Sequence, residues 1–349
     1  MKKISVTLFL LIMVFVLSGC QTEDMLCNPE SDFKIGMITD IGGIDDRSFN
    51  QGTWEGIERF GRAYQLCEGE GYRFIQSMSE AEYVPNLSTL AEEGFNLIVA
   101  AGFLFNDALN EVAANYPNQN FLVIDTVVEQ PNVLSVLFSE HEGSYLVGVA
   151  AAHKAIADGK DTLGFIGGME SDVVHRFEAG FVAGVKSVDA NLRILIDYAN
   201  SFDDDAKGQT LAAKQYDDGA YIIIHAAGQT GNGVIKEARD RRNNNDVRWV
   251  IGVDRDQYED GIYDEENNES VILTSMVKRV DIATETIARQ TYEGFFTPGL
   301  SIFDLSNDGV GIPASNPNLT DDIIAKVLEA KAKIVSGEIV VPSTVTRGE

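Results

Sequence analysis

Residues with usable chemistry stand just past five short apolar runs. Lys34-Ile35-Gly36-Met37-Ile38-Thr39 leads into Asp40 and on to Asp45-Asp46-Arg47-Ser48-Phe49-Asn50-Gln51. Phe121-Leu122-Val123-Ile124 leads into Asp125, and Ile222-Ile223-Ile224 into His225-Ala226-Ala227-Gly228. Ile251-Gly252-Val253 leads into Asp254, and Val271-Ile272-Leu273 into a segment ending at Lys278. A carboxylate accepts hydrogen bonds and holds a vicinal pair of hydroxyls, to which an ammonium can donate. Helix N-capping is the other use of Asp and Ser at such places, but together the residues describe a binding site. Asp40, Asp125 and Asp254 against Lys278 leave it formally negative, so a phosphate or carboxylate ligand meets net repulsion. The glycines of 228–233 read G-x-x-G-x-G, not the dinucleotide fingerprint, and no phosphate-cradling G-x-x-x-x-G-K-S/T occurs. A neutral, hydroxyl-rich ligand suits this set.

Two aromatic residues extend the reading. Phe49 and Phe202 each stand among polar residues at the start of a helix pattern. Phe49 also continues the stripe Thr53, Ile57, Phe60, as a core residue would. Facing a cleft, the two rings would sandwich a flat base for about 1–3 kcal/mol per stacked ring. A flat ring with ribose-like hydroxyls and no phosphate is a nucleoside.

Parallel strands must position these groups. The apolar runs are continuous rather than alternating, as in strands covered on both faces. Helix-length patterns at 140–158, 173–188, 205–218 and 229–242 separate them. About four β-α units precede residue 140 and four follow. That predicts an α/β protein of two doubly wound parallel sheets joined by three crossovers near residues 139, 276 and 308. The N-terminal lobe is expected over 33–139 plus about 277–308, and the C-terminal lobe over 140–276 plus about 309–349. Ligands of open α/β sheets bind beyond the carboxyl ends of the strands, so two facing lobes make a cleft.

The chain has 349 residues and a formal charge of −27. Such a surface repels phosphate backbones, which excludes general nucleic-acid binding. Lys2 and Lys3, the apolar stretch Val6 to Leu17 and then Leu17-Ser18-Gly19-Cys20 form an export signal over 1–20. The stretch resembles a bacterial lipobox, with Cys20 the acylated residue, and residues 21–32 read as a polar tether. Cys27 and Cys67 remain and are able to pair in an oxidising compartment. None of the four histidines stands in a catalytic or zinc motif. His141 and His153 read as solvated on one helix, and His225 as a residue able to line the cleft.

These segments together resemble the basic membrane protein family of substrate-binding lipoproteins, closest to its purine nucleoside receptors. The match rests on Gly36-Met37-Ile38-Thr39-Asp40, Glu142-Gly143-Ser144-Tyr145, Phe177-Glu178-Ala179-Gly180-Phe181, Ala227-Gly228-Gln229-Thr230-Gly231 and Gly252-Val253-Asp254-Arg255-Asp256-Gln257. It implies the two-lobed type I periplasmic-binding-protein fold. It also implies stacking by Phe49 and Phe202, base-region hydrogen bonds from Asp40, Asn50 and Asp125, ribose contacts from Asp254 and Lys278, and close backbone approach at Gly228. The expected protein is a monomer, without catalytic residues, cofactor or metal, held to the bilayer through Cys20 and serving an ABC permease. A sugar receptor on the same fold is the alternative. A nucleoside hydrolase is less favoured, because Ile38 stands where its calcium motif needs a leading Asp.

Overall fold

The computed structural model describes residues 27–345. The N-terminal half supplies β1 (Ile35–Thr39), α1 (Phe49–Ala63), β2 (Tyr72–Gln76), α2 (Tyr83–Glu92), β3 (Leu97–Ala101), α3 (Asn106–Asn115), β4 (Asn120–Ile124) and β5 (Val133–Phe138). Then come α4 (Glu140–Ala157), β6 (Thr162–Gly167), α5 (Asp172–Val188), β7 (Arg193–Tyr198), α6 (Asp205–Asp217), β8 (Ile222–Ala226), α7 (Thr230–Asn243) and β9 (Trp249–Asp254). A small hairpin of β10 (Ile262–Asp264) and β11 (Glu269–Ser270) precedes β12 (Ile272–Lys278). The chain ends with α8 (Val280–Tyr292), β13 (Gly299–Phe303), β14 (Val310–Gly311) and α9 (Asp321–Val335).

Two six-stranded sheets result, in the orders β13-β5-β4-β3-β1-β2 and β14-β12-β9-β8-β6-β7. Every pair in the first is parallel, and in the second only β14 runs antiparallel. The α/β reading of two doubly wound sheets therefore holds. Its physical basis is visible in the central strands: β1, β3, β6 and β8 are buried at every residue. The edge strands β2 and β13 are partly exposed and lack a continuous apolar run, which is why the sequence pattern passes over them.

The sheets exchange chain three times. The backbone leaves the first at Phe138, returns after Lys278, and crosses again between Phe303 and Val310. These crossings are bonded to one another. Ser139 N–H donates to Phe303 O at 2.8 Å, and Arg279 N–H to Gly309 O at 2.9 Å. Glu142 accepts from Leu305 N–H at 3.0 Å.

The N-terminal segment is fastened as well. Cys27 and Cys67 form a disulfide with Cα atoms 4.9 Å apart, and Asn28 N–H donates to Gln65 O. From Cys27 onward the segment 27–32, read as part of a tether, is covalently held to the body. The export signal and Cys20 lie outside the described residues. No helix among the described residues is long and apolar enough to cross a membrane.

Glycines let α4 and α5 touch backbone to backbone. A Cβ on Gly180 would stand 2.0 Å from His141 O, and one on Gly184 would stand 2.2 Å from Tyr145 O. That contact also half-buries His141; His153 is half-buried too, so neither is solvated as the sequence suggested. Gly180→Ala is expected to cost about 1–3 kcal/mol by overpacking. Urea denaturation measures this, and an unchanged midpoint would show that the helices have room to separate.

Candidate functional site

The carboxyl ends of both sheets face one cavity, lined by residues of both lobes, the place where ligands of open α/β sheets bind. Asp40 follows β1 and Asp125 follows β4 from the first lobe; Gly228 follows β8, while Asp254 and Lys278 are the last residues of β9 and β12. Phe49 and Asn50 open α1, and Phe202 precedes α6. All eight of these sequence-derived residues line the cavity. His225 does not. It is fully buried, and burial lowers its imidazole to about 4, so it is a neutral core residue.

Asp46, which the sequence reading passed over, organises the first loop. Its carboxylate accepts from the N–H groups of Ser48, Asn50 and Gln51 at 2.8, 2.8 and 3.0 Å. It thereby caps α1, where Ser48 offers no side-chain cap. Asn50 Nδ2 donates to Asp40 at 2.7 Å and to Asp46 at 3.1 Å. Both amide hydrogens are then used, and Asn50 can offer a ligand only its carbonyl oxygen.

The same loop reaches across the cleft. The Ser48 hydroxyl donates to Asp254, Gln257 Nε2 donates to Arg47 O at 2.9 Å, and Asn232 Nδ2 to Asp46 O at 3.2 Å. Arg47 and Asp260 pair at 3.5 Å, and Arg255 and Glu55 at 3.6 Å. The lobes are closed on the cavity.

Lys278 is 1% exposed and sits where the second sheet hands the chain back. Its Nζ donates to both oxygens of Asp125, at 2.7 and 2.6 Å, and pairs with Glu140 at 2.9 Å. Arg176 Nε donates to the other Glu140 oxygen at 2.6 Å. The rings of Phe49, Phe138 and Phe177 lie 5.0–5.8 Å from Nζ. Of the three strand-end carboxylates set against Lys278 in the sequence, only Asp125 is bonded to it; the second counter-charge is Glu140. Lys278 has three N–H groups and Asp125 takes two, so one at most is left for a ligand hydroxyl.

Phe202 has its place because glycines make it. A Cβ on Gly168 would fall 2.2 Å from its ring, and Gly228 passes beside it at φ +54°, open to glycine at little cost. Phe103 meets Phe202 edge-on at 6.1 Å, and Phe177, Val173 and Val174 add apolar wall from α5. Phe103, two residues past β3, was within reach of the strand-end signal; Phe177 and Glu140 belong to helices whose periodicity reads as core.

Strain and desolvation concentrate on the carboxylates. Asp125 and Asp254, at equivalent positions in the two sheets, hold left-handed φ of 70° and 66°. Arg255 N–H donates back to Val253 O at 2.7 Å, so Asp254 is the centre of a strained γ-turn. Burial raises Asp40, and raises Asp46, Asp125 and Asp254 to about 6, against the pull of Lys278 in the last two. Burial pushes Glu140 up too, but Lys278 and Arg176 together bring it below the ordinary range. No cluster of His, Cys, Asp and Glu among the described residues has the geometry to hold a metal ion.

A family model described as Bmp, ABC transporter substrate-binding protein PnrA-like, matches residues 33–345. A CD4+ T-cell-stimulating antigen of Listeria innocua is 44% identical over 318 residues, 89% of this chain and 88% of that protein. The ABC transporter nucleoside-binding protein BmpA of Lactococcus lactis subsp. cremoris is 40% identical over 355 residues, 98% of this chain and 100% of that protein. A solute-binding protein of an Aeropyrum pernix K1 ABC transporter system is similar in structure, with a TM-score of 0.79 at 26% identity, covering 89% of this chain and 94% of that one. The two facing sheets, the cavity between them and these matches agree: the chain belongs to the Bmp family of PnrA-like ABC transporter substrate-binding proteins.

Proposed function

We propose that this protein captures purine nucleosides, such as adenosine, guanosine or inosine, and delivers them to an ABC permease while anchored to the membrane through acylated Cys20. Substrate-binding proteins of ABC importers work outside the cytoplasm, which agrees with the export signal in residues 1–20. The observation that carries the reading is one cavity with aromatic rings from both lobes and strand-end carboxylates beside them. Phe49 and Phe202 supply flat surfaces for a base. Asp40 and the Asn50 carbonyl accept from its N–H groups, and Asp125 and Asp254 accept from ribose hydroxyls. The name of the Lactococcus relative, a nucleoside-binding protein, supports the same class.

Stacking separates this reading from a sugar receptor. Phe202→Ala should weaken inosine by about one to two decades in Kd, since a stacked base contributes about 1–3 kcal/mol. Free ribose should be unaffected. Calorimetry on the protein lacking residues 1–20 reads both, and wild-type affinity for inosine in this variant would favour the sugar.

Asp254 should serve the ligand at the expense of stability. Below pH 3.8 it is protonated in both states. As pH rises, the unfolded chain loses the proton first and the folded chain keeps it until about 6, so stability falls across that window. Asp254→Asn carries no charge at any pH. Its stability relative to wild type should rise by on the order of 2–3 kcal/mol between pH 4 and pH 7, as urea denaturation at both pH values will show. The same variant should bind inosine about ten- to a hundredfold more weakly at pH 7. A stability difference independent of pH would mean that this carboxylate is not desolvated.

The anchor has its own test. Cys20→Ser should abolish incorporation of radiolabelled palmitate and release or mislocalise the protein. Labelling equal to wild type would place the acyl chain elsewhere.

A further inference from the structure

Glu140 stands outside the cavity, yet it governs the charge the cavity presents. It is 0% exposed, begins α4 at the first crossover, and touches two cations, the buried Lys278 of the cavity wall and the part-buried Arg176 behind it. Lys278 Nζ borders the cavity, and Arg176 lies on α5 one residue before Phe177, which also borders it. Asp125 and Glu140 are the two carboxylates bonded to these cations. Two positive and two negative charges cancel within this group, of which Lys278, Asp125 and Glu140 are buried. Asp40, Asp46 and Asp254 are then left uncompensated beside the ligand.

We propose that Glu140 is a specificity-determining residue that keeps the site selective for uncharged nucleosides over nucleotides, by cancelling the cations that would otherwise draw in a phosphate. The inference rests on the nucleoside reading. A phosphate is recruited by Lys and Arg donors that are free to turn to it. In this structure Lys278 is held by both Asp125 and Glu140, and Arg176 is held to Glu140 through Nε while its Nη2 has no hydrogen-bond partner among the described residues. Of the carboxylates, Asp125 and Asp254 can be neutralised by a proton not far below neutral pH when an anion arrives. Glu140 is held ionised by two cations and cannot yield in that way. Its negative charge is therefore the one that persists.

Glu140→Gln preserves shape and an acceptor oxygen but removes the charge. Calorimetric competition at pH 7.5 should show the inosine over inosine 5′-monophosphate affinity ratio falling at least tenfold relative to wild type. The double variant Glu140→Gln with Arg176→Gln restores the balance and should recover the wild-type ratio; a purely structural role would leave the double variant no better than the single one. A folded Glu140→Gln protein with the wild-type ratio overturns the proposal. Should that variant not fold, Arg176→Gln alone reads the same balance from the other side: the preference for inosine must widen, and an unchanged ratio overturns the proposal.

Inorganic phosphate gives an arm that does not need a nucleoside. It should raise the Tm of Glu140→Gln by about 2 °C or more and leave wild type unmoved. Equal shifts in the two proteins overturn the proposal. Absence of inosine binding by wild type, with this phosphate contrast intact, would instead reject the nucleoside reading and keep the charge-selecting role.

Discussion

One ammonium, buried where the chain passes between the lobes, ties this molecule together. Lys278 ends a strand of the second sheet, its Asp125 partner follows a strand of the first, and Glu140 begins the helix after the first crossover. Isolated, such a charge would be driven to its neutral form by burial. Here burial does lower it, but Asp125 and Glu140 more than reverse the effect and its pKa rises. Removing either partner would leave an uncompensated charge in a dry place, which is far costlier than the pair is favourable. All three crossovers are thus joined by main-chain bonds at Ser139 and Arg279, and the first two also by an ion cluster whose members come from both lobes.

That cluster also explains why the carboxylates bordering the ligand lie so far from their ordinary state. With Lys278 committed to Asp125 and Glu140, Asp254 has only the Ser48 hydroxyl as a close partner, and Asp40 only the Gly42 N–H and the Asn50 amide. Each is desolvated without a bonded counter-charge, and the backbone at Asp125 and Asp254 is held left-handed besides. Such arrangements persist only where surrounding structure over-determines them. The surrounding structure is the central part of each sheet, buried throughout. A ligand that donates hydrogen bonds to these oxygens replaces the water they lost. The strain is local to residues that line the cavity, and the stability that tolerates it comes from elsewhere.

How much of this was legible in the sequence follows from which forces are local. Central strands announced themselves because burial on both faces leaves no polar alternation, and the polar residue just past each strand marked the cavity. Asp40, Asp125 and Asp254 were found that way. Asp46 was not, because an Asp that caps a helix and an Asp that lines a site look alike, and here it does both. Glu140 was hidden for another reason. At the first position of a helix an acidic residue reads as dipole compensation, and nothing in sequence shows that Lys278 and Arg176, 138 and 36 residues away, converge on it. Which carboxylates Lys278 bonds was not legible either, since Asp40, Asp125 and Asp254 all stand just at or past strand ends. Distance decided it, and distance between two sheets is a tertiary property.

The closed cleft raises a question of reversibility, since a receptor must release what it holds. Its bonds across the mouth come from a short stretch of the first lobe: Asp46, Arg47, Ser48 and Glu55 reach Asn232, Asp254, Arg255, Gln257 and Asp260. The two ion pairs are longer than 3.4 Å, and Arg47 is half-exposed, so they contribute little, as surface pairs do. The three hydrogen bonds exchange readily for water on opening, each with a net effect on the order of 1 kcal/mol. The strong contacts, by contrast, lie beside the crossovers, where Lys278 of the second sheet meets Asp125 of the first and Glu140 at the first crossover, and a hinge motion there would leave them in place. Closure is therefore weakly held at the rim and firmly guided at the base. A ligand bonded to both lobes at once would then supply most of the free energy that distinguishes closed from open, and a partner that engages the two rims would need to overcome only that.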